Sequence, residues 1–147
     1  MAKYKFRLET VQKVRKATRD QRRLALAEAF RAAEMLAENR RALAAEEAAL
    51  RDVQRSAAAG RYLDVNRLLE AQRYELLLKS RGEELTKQNA LLAAEIERRR
   101  QTLVEADRDV RVLELLDERQ RREHDRRQAR LETRQLDEAA LKQWHAK

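Results

Sequence analysis

The chain has 147 residues, of which 41% are charged and 4% aromatic, with no Pro, no Cys and two Gly. So few turn residues cannot make the many reversals of a sandwich, a barrel or a βαβ fold, and the lack of Cys removes disulfides, thiolate nucleophiles and cysteine zinc sites. The net charge of +8 is uneven, because residues 1–23 hold nine basic and two acidic side chains and the remainder is close to neutral; a basic end points to an acidic partner, whether protein, nucleic acid or anionic lipid.

No apolar run approaches the roughly 20 residues of a membrane span, and no apolar segment follows the basic N-terminal residues as in a secretory signal. The expectation is a soluble, cytoplasmic protein built from one coiled-coil domain over residues 1–147.

The first element is a helix over about 4–58. This stretch has no Pro or Gly and is rich in strong helix formers, with Ala dominant from Ala25 to Ala59. Leu36, Leu43 and Leu50 recur every seven residues, and Ala29 and Ala57 continue the stripe, which is coiled-coil spacing with small residues that admit a close partner. A turn follows at about 59–63. Gly60 suits the left-handed position that ends a helix, and Asp64 suits the cap that starts the next, with Leu63 and Leu68 placed as a hydrophobic staple.

The second helix is expected over about 64–143. With Leu68 at position a, the a/d positions to Leu113 are Leu68, Ala71, Glu75, Leu78, Gly82, Leu85, Asn89, Leu92, Ile96, Arg99, Leu103, Ala106, Val110 and Leu113, ten of the fourteen apolar. Gly82 costs about 1 kcal/mol against Ala inside a helix, but the heptad runs through it. Two such helices on a short turn lie antiparallel. The fold class is therefore all-α: an antiparallel two-helix coiled-coil hairpin, the second helix longer and projecting past the N-terminus. Residue n should lie opposite about 123 − n, placing Leu43 near Ser80 and Leu8 near Leu115. Residues after about 118 should have no partner.

Nothing here resembles a catalytic constellation. Carboxylate pairs such as Glu46-Glu47 and Asp117-Glu118 have no pocket to perturb them and read as solvated helix faces. His124 beside Glu123 and Asp125 cannot chelate a metal, since adjacent helical residues point apart; it reads as an exposed histidine. The arginine runs at Arg98-Arg99-Arg100, Arg121-Arg122 and Arg126-Arg127 are interleaved with acids and lack stacking aromatics, a weak nucleic-acid signal. No cofactor or metal is expected. In Tyr74-Glu75-Leu76-Leu77-Leu78 the three leucines cannot all face one helix. The surplus is either a binding surface or a locally wider core.

Two terminal motifs carry a resemblance. Tyr4-Lys5-Phe6-Arg7-Leu8-Glu9-Thr10-Val11 with Val14-Arg15 resembles the opening of the flagellar export protein family FliJ. Leu113-Glu114-Leu115-Leu116-Asp117-Glu118-Arg119 and Glu132-Thr133-Arg134-Gln135-Leu136-Asp137-Glu138-Ala139 resemble its later segments. Gln12 stands where that family usually has an apolar residue. The resemblance implies a non-enzymatic part of the flagellar type III export machine, at the cytoplasmic face of the inner membrane. Such proteins are antiparallel coiled coils similar to the central stalk of rotary ATP synthases. Both chain ends enter the hexameric export ATPase FliI, the hairpin region contacts the cytoplasmic domain of the export gate protein FlhA, and members are described as escorting export chaperones. Carried onto this sequence, it implies ATPase contacts through Phe6, Leu8 and Val11 for packing and Arg7, Lys13, Arg15 and Lys16 for charge. It implies gate contacts at Tyr74, Leu78, Arg81 and Leu85. The heptad puts Leu78 and Leu85 in the seam, so either the register shifts near Gly82 or the gate uses Leu77 and its neighbours. Two further readings stay open from sequence: the equivalent stalk of a virulence-type secretion system, and a basic coiled-coil nucleic-acid binder.

Overall fold

The computed structural model describes residues 3–145. It is an all-α helical hairpin of α1, Glu9–Ala58, and α2, Val65–His145, joined by residues 59–64. Among the described residues no helix is long and apolar enough to cross a membrane. Contacts divide the chain into two units, Arg23–Gln101 and the pair Met1–Arg22 with Thr102–Lys147.

In the unit Arg23–Gln101 the seven-residue stripe forms the seam. Ala29, Leu36, Leu50 and Ala57 of α1 are buried, as are Ala71 and Leu78 of α2. Leu43 packs against the cluster of Leu50, Ala71 and Leu78. Burying a leucine contributes about 1.5–3 kcal/mol, so this short row of side chains is what holds the two helices together. The heptad passes through Gly82 without a shift. An added Cβ there would meet the Leu43 Cδ2 at 3.5 Å, so the glycine lies in the seam beside Leu43, two residues from the Ser80 expected from the arithmetic. Of the other unmatched a/d residues, Glu75 and Asn89 are exposed and Arg99 is half-buried. Arg99 lies in the seam because its guanidinium donates to the main-chain carbonyl of Ala25 across from it.

The connection starts and ends differently. Asp64 accepts a hydrogen bond from the Arg67 N–H at 3.1 Å through its carboxylate, satisfying a donor that the first turn of a helix leaves free. Its carbonyl also accepts from the Leu68 N–H at 3.1 Å. The left-handed glycine expected at residue 60 is absent, since no described residue has a positive φ. The last turn closes with Ala59 N–H donating to the Arg55 carbonyl at 2.9 Å, and the chain then leaves through a bend. What favours glycine at 60 is space: a Cβ would lie 3.3 Å from the Tyr62 carbonyl oxygen. Leu63 stays mostly exposed, so the expected staple buries little of it.

In the other unit, α1 starts at Glu9 rather than near residue 4. Residues 3–6 are non-helical, and a turn in which Glu9 N–H donates to the Phe6 carbonyl leads into the helix. The cause is tertiary. Phe6 is buried, and the Tyr4 hydroxyl donates to the Asp117 carboxylate at 2.8 Å. Extended backbone advances about 3.3 Å per residue against about 1.5 Å in a helix. A non-helical residue therefore reaches further along α2 than a helical one. This corrects the expectation that pairing ends near residue 118: Tyr4 also packs its ring on His124, centroid to centroid 5.6 Å. His124 is accordingly half-buried, not exposed. Residues 129–145 are exposed throughout. Deeper in this unit Ala106 and Val110 are buried, and Arg15 donates to Asp109 at 3.1 Å, one residue from the position the hairpin arithmetic assigns.

Charge is arranged mainly along each helix. Lys13–Glu9, Arg51–Glu47, Arg119–Glu123, Arg121–Asp117 and Arg122–Glu118 all sit four residues apart, the spacing that brings side chains together on one helical face. Arg15–Asp109 and Arg81–Glu46 cross from one helix to the other.

Candidate interaction surfaces

At the start of α1 the sequence-selected residues separate into two sets. Phe6 is buried and Leu8 half-buried, so both are engaged within the chain and Phe6 is not offered to a partner. Val11 is exposed, and so is Val14 one turn on. Val14 was not selected from sequence, although its i, i+3 spacing from Val11 was the available signal. Arg7 is exposed, Lys16 is half-buried, and Lys13 is exposed although paired with Glu9 at 3.3 Å. Arg15 is about half-exposed and spends its charge on Asp109. What this end presents is therefore the exposed pair Val11 and Val14, on a stretch that also exposes the cations Arg7 and Lys13, while half-buried Lys16 lies on the opposite side of α1.

The Tyr4 phenol that pins this end has its pKa raised above 10.0. Partial removal from water is the main cause, followed by the hydrogen bond to Asp117 and its negative charge, with the Arg121 charge opposing. The Arg121 guanidinium lies 5.6 Å from the centre of the Tyr4 ring, within range of a cation–π attraction. The Nδ1 atom of His124 is enclosed and has no hydrogen-bond partner among the described residues.

Early α2 carries the second set. Leu78 is 1% exposed and holds the seam, and Leu85 is half-buried there. With the register continuous through Gly82, Leu78 is removed from any outward contact face. Leu76 and Leu77 point outward, 64% and 48% exposed, so the three consecutive leucines divide as helical geometry requires. Tyr74 and Arg81 are brought together by a residue that the sequence left among the solvated carboxylates. The Tyr74 hydroxyl donates to Glu46 of α1 at 2.8 Å, and Arg81 donates to the same oxygen at 3.3 Å. The Tyr74 pKa is raised, first by that hydrogen bond, then by partial desolvation and the Glu46 charge, against Arg81. An open groove bordered by Asn39, Leu43, Glu46, Arg81 and Leu85 runs beside this bridge. The face as built comprises Tyr74, Leu77 and Arg81 from α2, with Glu46 from α1 orienting two of them.

One further charged cluster lies between α1 and α2. Glu95 accepts from Arg98 at 2.6 Å and from Arg99 at 2.7 Å. These bonds, Arg98 first and Arg99 second, lower its carboxyl pKa to about 2. Glu95 thus holds the guanidinium that Arg99 extends to the Ala25 carbonyl.

No curated protein and no solved structure matches the chain. The family model described as "Flagellar FliJ protein" matches residues 4–147, which spans the pinned N-terminal segment, both helices and the turn described above. On that match the chain belongs to the FliJ family and is a component of the flagellar export apparatus.

Proposed function

We propose that this protein is a non-enzymatic, central-stalk-like coupler, which binds and stimulates the hexameric export ATPase FliI and contacts the cytoplasmic domain of the export gate protein FlhA. The observation that carries the ATPase contact is the exposed pair Val11 and Val14 on a stretch that also exposes Arg7 and Lys13, with Lys16 as a further charge contact from the other side of α1. Such a patch suits a ring lined by acidic and apolar side chains, with apolar burial for grip and charge for steering. Phe6, Leu8 and Arg15 act one step removed, by keeping α1 and the segment before it seated on α2. The gate contact is assigned to Tyr74, Leu77 and Arg81, with Leu78 and Leu85 as the seam residues that support them. In this reading, export chaperones are cargo partners of the same assembly.

The test is ATP hydrolysis by the purified cognate ATPase, titrated with this protein and with a Val11→Asp/Arg7→Glu variant. Both positions are exposed, so the hairpin should stay folded by circular dichroism. Stimulation by the wild type and its loss in the variant support the coupler. Equal hydrolysis with and without saturating wild-type protein removes it.

A further inference from the structure

One carboxylate oxygen, the Oε2 atom of Glu46, joins the two helices of the unit Arg23–Gln101. It accepts from the Tyr74 hydroxyl at 2.8 Å and from the Arg81 guanidinium at 3.3 Å, so α1 supplies the acceptor and α2 supplies both donors. Tyr74, Leu77 and Arg81 follow the i, i+3, i+7 spacing of a single helical face. Leu77 stands between the two bridged residues in sequence and is 48% exposed. Glu46 also borders two open grooves, one shared with Leu43, Arg81 and Leu85, the other with Leu50, Val53, Ala71 and Tyr74. The bridge lies at the surface, with the Glu46 and Arg81 side chains 43% and 52% exposed. An ion pair so exposed adds little to the stability of a fold. What it does is hold two long side chains in place on a face that is otherwise apolar.

Resting on the gate contact assigned above to Tyr74, Leu77 and Arg81, we propose that Glu46 is its positioning residue. It sets Tyr74 and Arg81 before the partner arrives and cancels the Arg81 charge, so that the face fits an uncharged, apolar patch on the cytoplasmic domain of the gate. Side chains already ordered lose less freedom on binding, and the complex is tighter for it. A lone guanidinium pressed against an apolar patch would lose its hydration with nothing in return. Arg81 instead carries its own acceptor into the contact. Because the acceptor is on α1 and the donors are on α2, neither helix presents this face without the other.

The purified gate domain is titrated by calorimetry with the full-length protein and with its Glu46→Gln and Glu46→Ala variants. Gln keeps an acceptor for Tyr74 but releases the Arg81 charge, whereas Ala removes both functions. The expected result is wild-type binding that changes little between low and high salt, a loss of about tenfold with Glu46→Ala, and an intermediate loss with Glu46→Gln. Thermal melts by circular dichroism should be nearly unchanged. In a Tyr74→Phe/Arg81→Gln background the groups through which Glu46 acts are gone, so Glu46→Ala should weaken binding no further. A readout without the gate is the Tyr74 phenol, whose raised pKa should return toward 10.0 in Glu46→Ala, as followed by NMR of labelled tyrosine. Wild-type binding that Glu46→Ala leaves unchanged overturns the proposal and leaves the gate contact standing. So does an undiminished loss in the Tyr74→Phe/Arg81→Gln background, which would make Glu46 itself the contact. A steep fall of wild-type affinity with salt overturns the apolar partner. No binding by the wild type removes the gate contact, and the role of Glu46 with it.

Discussion

The hydroxyl of Tyr4 donates a 2.8 Å hydrogen bond to Asp117, a residue 113 positions further along the chain. This bond fixes how far the non-helical N-terminal residues reach along α2, and it places the Tyr4 ring between His124 and Arg121. Tyr4→Phe keeps the ring contacts and removes the bond. Amide exchange of residues 3–9 should speed several-fold, while the amides around Leu50 and Leu78 stay protected; hydrogen exchange read by NMR or mass spectrometry checks this.

The same bond has a pH signature. The folded Tyr4 pKa is raised, so the stabilisation it contributes is fully present below the ordinary value of 10.0 and is lost as pH rises through the higher folded value. Alkaline titration should loosen the N-terminal segment above pH 10, and Tyr4→Phe should abolish that transition. A loosening of equal size in the variant would assign it to other groups.

Glu95 behaves in the opposite sense. Its carboxyl is lowered to about 2 by Arg98 and Arg99. Its contribution is therefore present above the ordinary carboxylate range and is lost as pH falls through about 2. Glu95→Gln should lower the melting temperature at pH 7, and the gap to wild type should close as the pH approaches that value. Thermal melts followed by circular dichroism across this range read the difference directly.

Gly82 is a stabilising substitution in waiting. Its Cβ position is 3.5 Å from Leu43, an ordinary contact, and its φ is not in the left-handed region. Gly82→Ala should stabilise the chain by about 1 kcal/mol from helix propensity alone, measured as a higher urea midpoint at unchanged slope.

The leucine triplet gives a paired prediction. Leu78→Ala should cost about 2–5 kcal/mol, as for a buried leucine in a core that cannot collapse. Leu76→Ala, on the exposed side, should stay within about 0.5 kcal/mol. Leu77→Asp should likewise leave the urea midpoint nearly unchanged yet weaken binding to the FlhA cytoplasmic domain by tenfold or more, measured by calorimetry.

The seam was legible in the sequence because its signal is local and periodic. Ala29, Leu36, Leu43, Leu50 and Ala57 need only the helical repeat to be found. Asp64 needs only its place before Leu68, and subtraction about the turn brings Arg15 within one residue of Asp109. The start of α1 was not legible. Nothing in Tyr4–Leu8 forbids a helix, and the reason they are not helical lies on α2, in the site that buries Phe6 and receives Tyr4. His124 was misread for the same reason, since its burial is supplied by Tyr4. At the candidate surfaces, residue type indicated stickiness and spacing indicated a face. The heptad placed Leu78 in the seam, against the contact role that the resemblance implied for it, but neither signal showed that Phe6 turns inward or that Glu46 ties Tyr74 to Arg81, because those facts depend on which side of each helix the partner occupies.

The placement of the ion pairs has a consequence for register error. The pairs four residues apart, such as Arg51–Glu47 and Arg122–Glu118, lie within one helix. If α1 slid past α2 by seven residues, each of them would survive intact and the stripe would find another stripe. Charge pairs of this kind thus offer little protection against a heptad slip. That protection falls to the features with a single address: the crossing pairs Arg15–Asp109 and Arg81–Glu46, the six-residue connection capped by Asp64, the fit of Leu43 beside Gly82, and Tyr4 on Asp117. A seven-residue deletion in α1 that leaves all these residues in place would force some of these contacts to break, and the ones that yield would show which hold their own stretch of the two helices in register.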